Sequence, residues 1–113
     1  MKKRFHFIFL EEAEKFYNKL NLKAKNKLTL IFDLINYTNN TKYFKKIDHD
    51  IWEIRMRYQN TQYRFFAFMD LTENKKTLIL LTHGIIKKTQ KIPLKEIAKA
   101  KKIRDHYLKS KRK

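Results

Sequence analysis

Only one glycine and one proline occur in the 113 residues, Gly84 and Pro93, and they fall in the same short stretch. A chain so poor in turn formers must be built of regular elements joined by short connections, because Gly and Pro are what let a backbone turn sharply. The scarcity also excludes a glycine-rich phosphate loop, and with it the P-loop and dinucleotide-binding folds. The stretch that holds both residues is where the backbone is expected to do something unusual. The length suits one domain, so residues 1–113 are read as a single domain with a basic tail from about Lys109.

Charge narrows the function. Lys and Arg number 28 against 11 Asp and Glu, a formal net charge of +17. Self-repulsion of that size opposes compaction, so a polyanionic partner is the first inference. The excess is uneven: residues 1–50 carry 11 basic and 6 acidic side chains, and residues 51–113 carry 17 and 5. The anion-facing part is therefore expected in the second half. With no cysteine, a disulfide scaffold, a Cys-ligated zinc site and a thiol nucleophile are excluded. The longest apolar run, Phe65–Met69, is far short of the roughly 20 residues of a membrane helix. The basic start runs straight into Glu11 and Glu12 with no cleavage site, so no signal peptide is read and a cytoplasmic location is expected.

Hydrophobic period places the elements. Phe5, Phe7 and Phe9 alternate with polar and aliphatic neighbours, which predicts a strand over residues 4–10. Ala13, Phe16, Tyr17 and Leu20 then fall at helical spacing, with Glu11, Glu12 and Glu14 at the positive end. After Asn21 the pattern repeats over residues 22–37, giving an αα-hairpin. From Ile51 the period returns to two: Trp52, Ile54, Met56 and Tyr58 share one side, and Glu53, Arg55 and Arg57 the other. A turn at residues 59–62, two nearly all-apolar strands (63–70 and 77–83), a basic loop (84–92) and a helix opened by Pro93 complete the chain. The expected fold is α+β: a small β-α-α-β-β-β-α sandwich with a mostly antiparallel sheet, an N-terminal αα-hairpin and a C-terminal helix.

The polar side of residues 51–58 is the most informative feature. Arg55 and Arg57 lie two apart on one strand, and Arg64 lies on the next. Such a strand side is ordinary solvated surface in many proteins. Three arginines there also make a phosphate-binding surface, since the guanidinium fork matches phosphate oxygens in pairs. Lys87 and Lys88 would join them if the loop after residue 83 folds back over the sheet. His83 reads either as a packed strand-end histidine or as a base at the mouth of this surface. His6 reads as a satisfied sheet histidine. A metal nuclease using Asp48, Asp50 and Glu53 is the weaker reading, because Asp48 and Asp50 are ordinary turn residues before a strand; no metal is expected.

Several strings fall in a familiar order: Trp52–Arg55 (WEIR), Tyr63–Arg64 (YR), His83–Pro93 (HGIIKKTQKIP) and Lys95–Lys102 (KEIAKAKK). Over residues 43–108 the chain resembles the RelE/ParE superfamily of type II toxins, in its phage-derived HigB-like branch. One departure is Ile85, where that branch commonly has an aromatic. The resemblance implies a RelE-like fold and a ribosome-dependent mRNA endonuclease, with no metal and no cofactor. It implies a cognate antitoxin, of the helix-turn-helix DNA-binding kind, and no membrane. Carried onto this sequence, Arg55 and Arg64 become transition-state clamps, and Lys87, Lys88 and His83 become candidates for base, acid or phosphate ligand. Arg57, Lys91 and Lys95 become RNA contacts. A ParE-like inhibitor of DNA gyrase shares the fold, and a non-catalytic nucleic-acid-binding module remains a third reading.

Overall fold

The computed structural model describes residues 4–38, 42–72, 77–88, 91 and 94–111. Its elements are β1 (Phe5–Phe9), α1 (Glu11–Asn18), α2 (Leu22–Tyr37), β2 (Phe44–Asp48), β3 (Ile51–Tyr58), β4 (Thr61–Asp70), β5 (Thr77–Lys87) and α3 (Leu94–Lys111). The five strands form one sheet in the order β1-β5-β4-β3-β2, in which β1 and β5 run parallel and every other pair is antiparallel. The α+β class and the mostly antiparallel sheet are as expected. The strands read as apolar on both sides, β4 and β5, lie inside the sheet.

Two expectations need correction. First, β2 was not foreseen. It is short, its Lys45 and Lys46 are exposed, and it forms the sheet edge beside β3. Exposed lysines discourage further strand addition at an edge, but they also hide the strand from a hydrophobic-period reading. Second, residues 84–87 continue β5 and are not loop; Lys87 pairs with Gln62 in the ladder. Gly84 is likewise not a turn residue. It sits in the strand against α1, where an added Cβ would run into the Phe16 ring. Pro93, read as the helix opener, lies outside the described residues.

The β3–β4 hairpin turns on two residues, Gln59 and Asn60, with φ of 49° and 63°. Left-handed values at both positions match the right-handed twist of the flanking strands. On one side of the sheet α1 and α2 pack over Phe5, Phe7, Phe9, Phe65 and Ile79. Asn21 starts α2 by accepting from the Ala24 amide at 2.9 Å. Arg4 closes its other end: Nε donates to the Asn36 carbonyl at 3.1 Å and Nη2 to the Ile35 carbonyl at 2.6 Å. The same turn is tied to β1 through buried Asn36, whose Oδ1 accepts from the Phe5 amide at 2.7 Å. On the opposite side α3 covers Ile51, Phe66, Phe68 and Leu80 with Ile97 and Ala100.

A bulge decides which side chains of β5 meet which helix. Phe66 pairs with His83, but Ala67 pairs with Leu81, so Thr82 is an extra residue in β5. Its hydroxyl donates to the Phe66 carbonyl at 3.1 Å. Strand side chains alternate, so one inserted residue reverses the parity beyond it. Leu78 and Leu80 face α3 before the bulge, and His83 and Ile85 face it afterwards. Lys87 follows at the same parity. Without the bulge these three would point toward α1.

Candidate functional site

Helix α3 covers only part of its sheet side. Beyond it, β3 and β4 present Arg55, Arg57, Gln62 and Arg64 from two cross-strand pairs, Arg55 with Arg64 and Arg57 with Gln62. At the centre is Glu53, whose side chain is 1% exposed. A buried carboxylate is costly unless cations and hydrogen bonds compensate it. Glu53 has both: Oε1 accepts from Arg55 Nε at 2.8 Å and from Arg64 Nη1 at 2.5 Å. Arg64 Nη2 donates onward to Gln62 Oε1 at 3.0 Å.

The two central arginines, alike in the sequence, therefore differ. Arg64 is buried, its side chain 8% exposed, and both of its terminal nitrogens are engaged. Arg55 is 33% exposed and binds Glu53 through Nε alone. Its two terminal nitrogens have no protein partner among the described residues, which leaves a fork held rigidly from behind and open in front. A guanidinium anchored in this way loses little freedom on meeting a phosphate.

Lys87 joins this group from β5. Burial lowers its ammonium pKa most, the Arg64 cation adds to the shift and Arg55 adds less, while Glu53 opposes them. Its neutral form is thus favoured relative to that of an exposed lysine. Lys88 lies just past the strand end and is exposed. The two lysines that the sequence could not separate are separated by the end of the ladder. Arg57 is exposed, with Nη2 at 3.5 Å from Asn60 Oδ1. Lys91 and Lys95 are also exposed.

His83 does not share the open surface. It is 3% exposed beneath α3 and stacks on Phe66 with ring centres 5.0 Å apart. Nδ1 lies 2.9 Å from Thr82 Oγ1, and Nε2 lies 3.2 Å from Glu96 Oε1. Burial, followed by the Lys99 cation, holds the imidazole below its ordinary pKa, with Glu96 pulling the other way. Of the two readings open in the sequence, this geometry matches the packed strand-end histidine. His6, read as a satisfied sheet histidine, is exposed on β1.

The three carboxylates of the metal-nuclease reading are each held by cations. Glu53 lies on its two arginines, Asp48 on Lys101 at 3.0 Å, and Asp50 at 3.5 Å from Arg104. Two contributors to the arginine cluster are not picked out in that role by the sequence: Glu53, which enters only in the metal-nuclease reading, and Gln62. The signal for Glu53 was present, since it shares strand parity with Arg55. The sequence pattern puts Gln62 in the hairpin turn, and only the two-residue turn brings it into the ladder.

Residues 15–105 match the model of the Gp49-like phage-derived protein family (DUF891). The chain belongs to this family. The matched span runs from within α1 through most of α3 and includes every residue of the arginine cluster. The Gp49-like family is of RelE-like, toxin-like character, in agreement with the α+β fold. No curated protein matches this Gp49-like chain. No helix among its described residues is long and apolar enough to cross a membrane.

Proposed function

We propose that this Gp49-like protein is the toxin of a type II toxin–antitoxin pair, of the HigB-like branch, and cleaves mRNA on the ribosome without a metal. One observation carries the reading: the Arg55 fork is anchored at the back by a buried carboxylate and open toward solvent, beside a lysine whose ammonium pKa is lowered.

The chemistry this arrangement can perform is transphosphorylation. The 2′-oxygen attacks its own phosphorus as the 2′-hydroxyl loses its proton to a base. A 2′,3′-cyclic phosphate forms, and the 5′-oxygen leaves and takes up a proton. The phosphorane carries extra negative charge, which cations fixed in advance stabilise without reorganising. In this reading Arg55 holds that charge, Glu53 sets its orientation, and Arg64 holds Glu53. Lys87, whose ammonium pKa is lowered by burial and by the Arg64 cation, suits the base; as an ammonium it suits the acid. Lys88, Arg57, Lys91 and Lys95 suit contacts to the RNA backbone. A net charge of +17 favours ribosomal RNA through counterion release.

The test is controlled expression of wild type and Arg55→Lys, with mapping of new 5′ ends in translated mRNAs. Arg55 is chosen over Arg64 because removing buried Arg64 would disturb folding as well. Wild type should arrest growth and cut inside coding sequences, and Arg55→Lys should cut about 100-fold less, since a point charge does not replace a fork. Growth arrest with intact mRNA in filamented, SOS-induced cells would replace this reading with gyrase inhibition.

A further inference from the structure

Three polar side chains stand in a row beneath α3 at the β5 bulge. Thr82 is fully buried, and its hydroxyl oxygen lies 3.1 Å from the Phe66 carbonyl and 2.9 Å from His83 Nδ1. On the far side of the ring, Nε2 lies 3.2 Å from Glu96 Oε1. We infer that this row is a proton-operated latch on the bulge: the charged ring leaves the Thr82 hydrogen on the Phe66 carbonyl, and the neutral ring draws it onto Nδ1. The latch sits on the extra residue that puts Lys87 on the side of Arg55, which makes Thr82 and His83 positioning residues for that lysine. The inference stands apart from the nuclease reading, and its test needs no RNA.

Counting hydrogens gives the switch. The Thr82 hydroxyl has one to donate, whereas a backbone carbonyl and an ionised carboxylate have none. A neutral imidazole carries one, on either nitrogen. Placed on Nδ1, it would leave the Nε2 lone pair against the Glu96 carboxylate, two acceptors in contact with no hydrogen between them. The neutral ring therefore carries it on Nε2, and Nδ1 becomes an acceptor for the Thr82 hydroxyl, which turns away from Phe66. An imidazolium carries both hydrogens. Nε2 then donates to Glu96, Nδ1 donates to the Thr82 oxygen, and the hydroxyl is free to donate to the Phe66 carbonyl, so every contact in the row is made at once. The charged groups around the ring are Glu96 and Lys99 from α3 and Glu12 from α1, with Lys99 and Glu12 bridged at 3.3 Å. β4 adds the uncharged Phe66 ring. Burial and the Lys99 cation move the changeover to the acid side of an ordinary histidine, while Glu96 and Glu12 oppose them.

The experiment is a pH titration of the purified protein by NMR, following the His83 ring nitrogens and the Phe66 carbonyl carbon. Between about pH 8 and pH 4 the ring should pass from the Nε2–H tautomer to the imidazolium, and the Phe66 carbonyl should move with the same midpoint. In Thr82→Val the carbonyl should no longer follow the ring, and the midpoint should fall, because the buried Nδ1–H of the charged form loses its acceptor. The inference is overturned by a neutral ring protonated on Nδ1, by a ring that keeps one charge state throughout, by a wild-type carbonyl that does not follow the ring, or by one that follows it equally without the hydroxyl. If Thr82→Val does not fold, Glu96→Gln decides. The Gln NH₂ group can donate to Nε2, which lets the neutral ring keep its hydrogen on Nδ1 and the hydroxyl stay on Phe66. The carbonyl should then ignore the titration of the ring, and a carbonyl that still follows it would overturn the inference.

Discussion

Against α1 and α2 the sheet sets Phe5, Phe7, Phe9 and Phe65, and the rings interlock: Phe7 stacks on Phe32 at 4.2 Å, and Phe65 meets Phe9 and Phe16 edge-on. Against α3 the contact is different in kind. Few α3 side chains are buried, and charged or polar bonds hold the helix along its length: Glu96 to His83, Lys99 to Glu12, Lys101 to Asp48, and Tyr107 and Lys111 to Asp70. One side of the sheet is closed by interlocking rings, the other by a smaller apolar core flanked by charged and polar bonds. The charged side is also the one left partly open, and it carries the arginine cluster. Ring packing is concentrated on the other side, and polarity is kept here.

The largest difference should come from cutting into the aromatic side. Phe65→Ala should cost about 3–5 kcal/mol, read from the shift in denaturant midpoint, and the loss should be the same at pH 4 and pH 7. A strongly pH-dependent loss would break the contrast.

The charged side should answer to acid. Burial alone would raise the Asp70 carboxyl, but its bonds from Lys111, Thr72 and Tyr107 outweigh burial and hold it well below the usual carboxylate range. A carboxyl with a lowered folded pKa adds stability that is complete above its unfolded value of about 4 and is lost as pH falls toward the folded one. Asp70→Asn should therefore cost about 2–3 kcal/mol at pH 7 and progressively less below pH 4. Parallel wild-type and variant acid-unfolding curves would show that Asp70 does not couple α3 to the sheet.

The smallest effect sharpens the boundary between the sides. Gly84→Ala should cost about 1–2 kcal/mol by driving a methyl into Phe16, and pairing it with Phe16→Leu should recover most of the loss. Additive losses in the double variant would mean that Phe16 is not what excludes a side chain at position 84.

Much of this was legible in the residues. The helix over residues 22–37 and the strand over residues 51–58 have the observed bounds, because each carries a clean period and a punctuating neighbour. Arg55 and Arg64 were found because strand parity and hairpin pairing are local. Strand β2 was not found, since Phe44–Asp48 spends its side chains on exposed lysines and gains its place only by pairing with β3. His83 could not be assigned between packing and chemistry, because its sequence neighbours do not say that α3 will cover it.

By itself, then, the sequence determined the elements, their apolar sides and a cationic second half, since these follow from residue type and spacing within a few positions. Only the tertiary structure decided which cations act together. The Thr82 bulge put Lys87 on the side of Arg55 instead of against α1. Buried Glu53 made Arg64 an anchor and left Arg55 open. The physical reason is shared: a one-residue register shift and a desolvated carboxylate take their effect from partners distant in the chain, which no local pattern encodes.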